Sequence, residues 1–276
     1  MHEAAGKIFP KVSVIIPNYN YINYLNASIT SVLSQDYPNV ELIVVDDGST
    51  DGSVEYLSSL QDKIVLLIQP NSGQSCARNF GLLQSTGEFI CFLDADDYWE
   101  ETKISRQLDL LMKENVDLVY SGVNLVTEDG SKIIETLKPE YAGDCARNYQ
   151  RNPARGIVLL GSSNAIFRKS LIHKSGLFDI NISVSSDWDF FRRYCDYGRV
   201  AFLSEALINY RQHQDNMSKR SDAFVADTIH CMKKLLLDHK QTLTKLEKSR
   251  VTLVTYKLVI KYAIKRYLIQ LGRRET

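Results

Sequence analysis

Three carboxylates stand within four residues at Asp94-Ala95-Asp96-Asp97, immediately after the apolar run Phe89-Ile90-Cys91-Phe92-Leu93. At that spacing they repel and raise one another's pKa unless a cation is near. Hard divalent ions such as Mg²⁺ and Mn²⁺ take oxygen ligands, and they commonly bind one or two carboxylates together with substrate phosphates. An acidic loop that caps the next helix would carry the same residues. A second pair opens Asp46-Asp47-Gly48-Ser49-Thr50-Asp51-Gly52. Asp46 can accept from a nucleobase N–H or a ribose hydroxyl, while Asp-Gly suits a bend and Ser49 or Thr50 a helix cap. Both readings hold together, with Asp46 in the site and residues 49–51 structural. Arg78, in Ala77-Arg78-Asn79-Phe80-Gly81, has the planar fork that clamps a phosphate or base, or that pairs with a surface acid. In Ser185-Ser186-Asp187-Trp188-Asp189, two acids open an aromatic-rich helix. Acids favour a helix's first turn on dipole grounds. A carboxylate beside Trp188 would also be partly desolvated, which moves it toward a useful general base. His213, one of five histidines, is by itself more often structural than a ligand.

These clusters need elements that bring them together. Val12-Ser13-Val14-Ile15-Ile16 reads as a first strand that stops at Pro17-Asn18-Tyr19-Asn20, and a helix follows from about Tyr24 to Leu33. Val40 to Val45, Ile64 to Ile68, Phe89 to Leu93 and Leu118 to Tyr120 read as further strands, with a helix over about Gln74 to Gln84. Strands that are apolar throughout must be covered on both faces, as in a parallel sheet wrapped by helices. Right-handed crossovers then give an open doubly wound α/β sheet, mostly parallel, whose ligands bind beyond the carboxyl ends of the strands. The first, second and fourth strands all end on polar clusters. Beyond Val126, Glu128 to Ser131 reads as a hairpin turn and residues 138–156 as a long surface loop. Ser163 to Phe167 reads as a strand, Asp187 to Tyr197 as a helix, and Val200 to Leu203 and Leu207 to Tyr210 as two more strands. From about Ala223 the chain turns helical. A domain over 1–220 is expected, with a nucleotide-binding half (10–120) and an acceptor-binding half (121–220), followed by a basic helical extension (221–276).

Composition narrows the classes. With 276 residues, 44% hydrophobic and 24% charged, the chain is an ordinary globular protein rather than a disordered, collagen-like or coiled-coil one. The 33 Lys and Arg balance the 33 Asp and Glu, so no nucleic-acid partner is indicated. Cys76, Cys91, Cys145, Cys195 and Cys231 form no C-x-x-C, which argues against a zinc cage or disulfide framework and for a reducing compartment. The segment before Pro10 has no apolar core of signal-peptide length, and no apolar run reaches the roughly 18 residues of a membrane span. A cytoplasmic protein is therefore expected. No G-x-G-x-x-G follows a strand and no G-K-[ST] occurs, which disfavours Rossmann dehydrogenases and P-loop enzymes.

In this order the clusters resemble the family 2 glycosyltransferases of GT-A fold. The resemblance spans residues 11–218 and is carried by Val12 to Asn20, Glu41 to Asp51, Asn71 to Gly81 and Gly87 to Trp99. Gly176 to Asp179, Ser186 to Asp189 and Tyr210 to His213 follow downstream. It implies an inverting transfer of a sugar from a nucleoside diphosphate, most often uridine, to a hydroxyl of a glycan or lipid-linked acceptor, assisted by Mn²⁺ or Mg²⁺. By that resemblance Pro17, Asn18, Tyr19 and Asp46 would hold the base and ribose, with Arg78 nearby. Asp94 and Ala95 would lie against ribose or metal, Asp96 would bind the metal, Asp187 would be the catalytic base, and His213 would approach the metal or diphosphate. Ser186 stands where the family usually has an acid, which leaves Asp189 as the second candidate base. The Gln-x-x-Arg-Trp signature of processive synthases is absent, so addition of a single sugar is expected.

Two other readings use the same residues. A sugar nucleotidyltransferase would want a glycine-rich, arginine-bearing loop where the chain has Pro17 to Asn20. A catalytically silent nucleotide-sugar-binding subunit would tolerate Ser186. From Ser249 to Thr276 seven basic residues face one acid, a net of +6, among Val254, Leu258, Ile264, Leu268 and Leu271. A basic amphipathic helix of this kind can lie on an anionic membrane surface. Docking on the core, or a contact in a homodimer, would use the same residues.

Overall fold

The computed structural model describes residues 9–144, 161–214, 216–217, 221–253, 255–257 and 260. The chain runs β1 (Val12–Asn18), α1 (Ile22–Leu33), β2 (Val40–Asp46), α2 (Ser53–Ser58), β3 (Val65–Ile68), α3 (Gln74–Gln84), β4 (Phe89–Phe92), β5 (Tyr98–Trp99) and α4 (Lys103–Glu114). It continues through β6 (Leu118–Thr127), β7 (Ile133–Leu137), β8 (Gly143–Asp144), β9 (Ile166–Arg168), α5 (Ile172–Ser175), α6 (Ser186–Cys195), β10 (Arg199–Gln212) and α7 (Ser221–Asp238).

β1 is buried along its whole length, the condition that lets a strand be apolar without alternation. Val12, Val14 and Ile16 belong to one core with Leu25, Ile29 and Val32 of α1 and Leu108 and Leu111 of α4. Ile15 belongs to the opposite core with Ala77 and Leu82 of α3 and Phe190 and Phe191 of α6. The sheet therefore has helices on both faces. Gly81 brings α3 onto it, because a Cβ there would stand 2.5 Å from Ile15 Cγ2 and 3.1 Å from Val45 Cγ2.

The described strands form one sheet in the order β3-β2-β1-β4-β9-β6-β10-β5, with β7 paired to β6 and β8 to β10. β1, β2, β3 and β4 run parallel. β2 and β3 lie on one side of β1 and β4 on the other, so the strand order reverses at β1 and the loops beyond its end part to leave a crevice. The register sets Asn18 beside Asp46 and Ile15 beside Phe92, which brings the ends of β1, β2 and β4 to one rim.

The second half departs from the parallel pattern. β9 is antiparallel to both β4 and β6, and the segment expected as a strand from Ser163 begins instead as a 3₁₀ turn, Ser162–Asn164. The two strands expected at 200–203 and 207–210 are one long strand, β10, whose register against β6 shifts between Leu203 and Ile208. A local irregularity of this kind breaks the side-chain alternation that marks a single strand. Helix α4 escaped the sequence reading although Ile104, Leu108 and Leu111 recur at helical spacing and Asn115 ends it with φ 47°, a conformation Asn tolerates better than most residues. Residues 145–156 of the expected surface loop and 261–276 of the basic tail lie outside the described residues, as does Cys145. The other four cysteines are free thiols.

Candidate active site

At the rim, a cavity of about 290 Å³ is lined by Pro17, Tyr21, Gln74, Arg78, Asp94, Ala95, Asp96, Ser185, Asp187 and Trp188, with an apolar side of Val184, Met217, Phe224, Cys231 and Met232. A second cavity of about 730 Å³ shares Pro17, Tyr21, Gln74 and Met217 with it. Asn18, Tyr19, Asp47, Asn71, Ser72 and Gly73 are among its other walls. Residues separated by well over a hundred positions in sequence thus face one continuous space.

β4 ends at Phe92, and the chain crosses the rim as Asp94, Ala95 and Asp96. The Asp94 carboxylate accepts from Arg78 Nη2 at 2.6 Å, and more distantly from Ser162 Oγ and Gln74 Nε2 at 3.3 Å each. Arg78 is buried, and its Nη1 lies 3.3 Å from Ser186 Oγ. It therefore ties the end of β4 to the start of α6 and is not free to reach a ligand with its whole fork. Asp96 Oδ2 meets His213 Nε2 at 2.9 Å. His213 is buried and stacks on Tyr24, with ring centroids 5.0 Å apart. Asp97 turns inward to Ser163 Oγ and the Arg211 amide. Burial, then the Asp96 and Asp94 charges, push its carboxyl well above the ordinary carboxylate range.

Asp187 stands in the first turn of α6, with Oδ1 accepting from the Trp188 amide at 2.7 Å. Burial pushes its carboxyl above the ordinary range and the Asp94 charge adds to that, while the Arg78 guanidinium pulls it back. Gly161 lies so near that a Cβ on it would be 3.0 Å from Asp187 Oδ2. Asp189, the second candidate base, faces the other way. It is fully buried and pairs with Arg193 Nε at 2.9 Å and Lys234 Nζ at 3.0 Å, outside both cavities. Two residues along a helix is a turn of about 200°, which puts Asp187 and Asp189 on opposite faces.

Asp46 needs correcting. It is completely buried and lines neither cavity: Oδ2 accepts from Asn18 Nδ2 at 2.7 Å and Oδ1 from the Ser49 amide at 2.8 Å. It stitches the ends of β1 and β2 together. The next residue, Asp47, lines the larger cavity and accepts from Gln69 Nε2 and the amides of Ser72 and Gly73 at 2.7 to 2.8 Å. Successive strand residues point to opposite faces, and Asp46 shares its side with the core residues Leu42 and Val44. Asp47 shares its side with Ile43 and Val45, which are core residues too, so alternation alone does not choose between the two acids. Gly48 turns the chain directly after them with φ +78°, and a Cβ there would meet the Asn71 amide nitrogen at 2.9 Å.

Of the expected site residues, Pro17, Arg78, Asp94, Ala95, Asp96 and Asp187 share the smaller cavity. His213 joins through its bond to Asp96, and Asn18 and Tyr19 line the larger one. Besides Asp47, the sequence reading did not include Gln74, Asn216, Phe224, Thr228 and Met232, all of which line the smaller cavity. Phe224, Thr228 and Met232 recur at four-residue spacing on α7, a periodicity visible in the sequence but indistinguishable there from a core stripe.

An open α/β sheet with acids gathered at its switch point has the ligand crevice of the doubly wound class of protein. The Glycosyl transferase family 2 profile matches residues 13–176, more than half of the chain, and the protein belongs to that family. An uncharacterized glycosyltransferase of Nostoc sp. is 34% identical over 224 residues, covering 75% of this chain and 66% of that protein. The chain spans between about a third and two thirds of the length of the first curated relatives it matches, 66%, 64% and 36% for three of them. Among solved structures, S. aureus TarS 1–349 in complex with UDP-GlcNAc superposes with a TM-score of 0.70 at 22% identity, covering 90% of this chain and 72% of that one. The mannosyltransferase PcManGT from Pyrobaculum calidifontis, in complex with GDP-Man and Mn²⁺, gives 0.63 at 18% identity, over 94% and 74%. At these identities the structural likeness is one of fold, GT-A.

Proposed function

We propose that the protein is an inverting glycosyltransferase that moves a sugar from a nucleoside diphosphate, uridine being the expected base, to a hydroxyl of a glycan or lipid-linked acceptor. The observation that carries this reading is the shared cavity in which Asp94, Asp96 and Asp187 converge with Arg78. The larger cavity, with Tyr19 and Asp47, is suited to base and ribose. The smaller one is suited to diphosphate and sugar, and its apolar side beyond Asp187 to the acceptor.

A divalent cation belongs to this reading. No group of three His, Cys, Asp or Glu able to hold a metal occurs among the described residues. Asp96 and His213 nevertheless offer one oxygen and one nitrogen 2.9 Å apart. The two are hydrogen-bonded to each other, and Mg²⁺ or Mn²⁺ commonly takes one or two protein ligands plus phosphate oxygens and water. The donor set therefore fits Mn²⁺ or Mg²⁺ held jointly with a diphosphate. When bound, the ion would offset the negative charge that builds on the departing diphosphate.

The chain's own groups account for the rest. Asp187 takes the proton of the attacking hydroxyl, and its partial desolvation makes it a stronger base than a solvated aspartate. Arg78 opposes the upward push of burial on that base and holds Asp94 in place. A single displacement at the anomeric carbon inverts its configuration. No helix among the described residues is long and apolar enough to cross a membrane. A cytoplasmic enzyme, brought to a membrane surface by its basic tail, is our reading of location.

Incubation with UDP-GlcNAc, other UDP-sugars and GDP-mannose in the presence of Mn²⁺ tests this function. Slow release of nucleoside diphosphate is expected, accelerated by a correct acceptor. Release of pyrophosphate would point to a nucleotidyltransferase, and binding without turnover to a silent subunit. A ligand that binds only the folded state at a hundred times its Kd adds about 2.7 kcal/mol of stability, so a melting-temperature screen identifies the donor.

A further inference from the structure

Helix α7 is joined to the site by one unusual contact. The Asp227 carboxylate accepts through a single oxygen, Oδ2, from three successive backbone amides: Ser183 at 3.0 Å, Val184 at 2.6 Å and Ser185 at 3.1 Å. The Ser183 hydroxyl lies 3.3 Å from the same oxygen. Asp227 is buried, and so is Ser185. These three residues lead directly into α6, whose cap residue Ser185 makes no side-chain capping bond of its own. Orphan donors at the start of a helix are normally met by the cap residue's side chain or by water. Here an acid from another helix takes the amides just before α6, from Ser183 to the cap residue Ser185.

We propose that Asp227 is a positioning residue for glycosyl transfer, holding the 183–185 backbone so that Asp187, two residues further on, faces the cavity. This inference rests on the reading of Asp187 as the general base. Val184 and Ser185 line the same cavity as Asp187, so the segment Asp227 grips is itself part of the site wall. With Asp227 gone, three amides would lose their acceptor, the buried Ser185 amide in a place closed to water, and the segment would relax until they found another. The base would then be displaced by a shift of its own helix start. α7 itself has other anchors: Lys234 bonds Asp179 at 2.8 Å and Asp189 at 3.0 Å, and Arg192 bonds Asp238 at 2.5 Å. Loss of Asp227 therefore loosens the loop while the helix stays docked.

The test uses the full chain with Asp227→Ala and Asp227→Asn, hydrogen exchange of the 182–188 segment, and steady-state hydrolysis of a sugar nucleotide (UDP-GlcNAc or GDP-mannose with Mn²⁺). Asp227→Ala is expected to speed exchange of the 183–185 amides about tenfold or more, with β1 to β4 unchanged. It should also lower kcat about 10- to 100-fold, because small misplacements of a reacting group cost that much, while KM for the donor moves less than about threefold. Asp227→Asn keeps one acceptor oxygen and should recover part of both effects. Parent-like exchange at 183–185, or parent-like kcat in a folded variant, overturns the proposal. If Asp227→Ala does not fold, the same two readouts on Asp227→Asn decide. Asp187→Asn separates the two levels: parent-like turnover there removes the base assignment itself, whereas loose amides at 183–185 with unchanged kcat remove only the positioning role.

Discussion

Replacing Asp187 by asparagine removes an ionisable carboxylate and leaves nearly the same volume, and an asparagine oxygen can still accept from the Trp188 amide, 2.7 Å away in the parent. The perturbation is therefore chemical rather than structural. A positioned general base contributes about 10²–10⁴-fold, and at about 1.36 kcal/mol per tenfold the loss amounts to about 2.7–5.4 kcal/mol of transition-state stabilisation. Two features of the site bear on where in that range the loss falls. Burial and the Asp94 charge raise the Asp187 carboxyl and so strengthen it as a base, and Arg78 opposes them. The parent should consequently lose turnover as pH falls through a pKa above the ordinary aspartate value of 3.8, since only the ionised form accepts a proton. The Asp187→Asn protein should lack that limb. The assay is nucleoside diphosphate release with acceptor across pH, alongside titration of the free nucleoside diphosphate to show that binding survives. Turnover within about threefold of the parent, far short of the 10²-fold minimum for a general base, would refute the assignment.

Asp96→Ala should weaken nucleoside diphosphate binding about tenfold or more in the presence of Mn²⁺ and little in its absence, read by calorimetry in the two conditions, because Asp96 supplies the charged ligand of the proposed pair. Gly81→Ala should destabilise the fold by about 1–3 kcal/mol in urea unfolding, the usual cost of overpacking, since the new methyl meets Ile15 and Val45. For Glu41, burial raises the carboxyl but bonds from Lys11, Ser13 and Thr86 outweigh it and hold it at about 2, against an ordinary 4.5. Because the folded value lies below the unfolded one, its stabilisation is complete above about pH 4.5 and is lost as pH falls toward 2. Glu41→Gln should therefore cost about 1–3 kcal/mol at pH 7, after allowance for the half-exposed Lys11, and progressively less below pH 4.5, measured by denaturant unfolding at several pH values.

Much of the first half of the chain was legible from local pattern. Val12 to Ile16, Val40 to Val45 and Phe89 to Leu93 are apolar runs that only a doubly covered sheet accommodates, and each ends on polar residues, so the rim and its acids followed from the sequence without coordinates. The second half was harder because its signals are weaker per residue: β5 and β8 have two residues each, and the shifted register of β10 broke a single strand into two apparent ones.

What the residues determined alone is the set of chemical groups and the layer each segment enters, because hydrophobic periodicity is a property of neighbours along the chain. Which groups meet was decided by tertiary packing. Asp46 or Asp47 facing the cavity turned on how β2 docks beside β1, and Asp187 rather than Asp189 lining it on which face of α6 lies against Lys234. The grip of Asp227 on residues 183–185 joins segments more than forty positions apart. Such contacts depend on the angle and depth at which whole elements pack, and no spacing along a single segment encodes that.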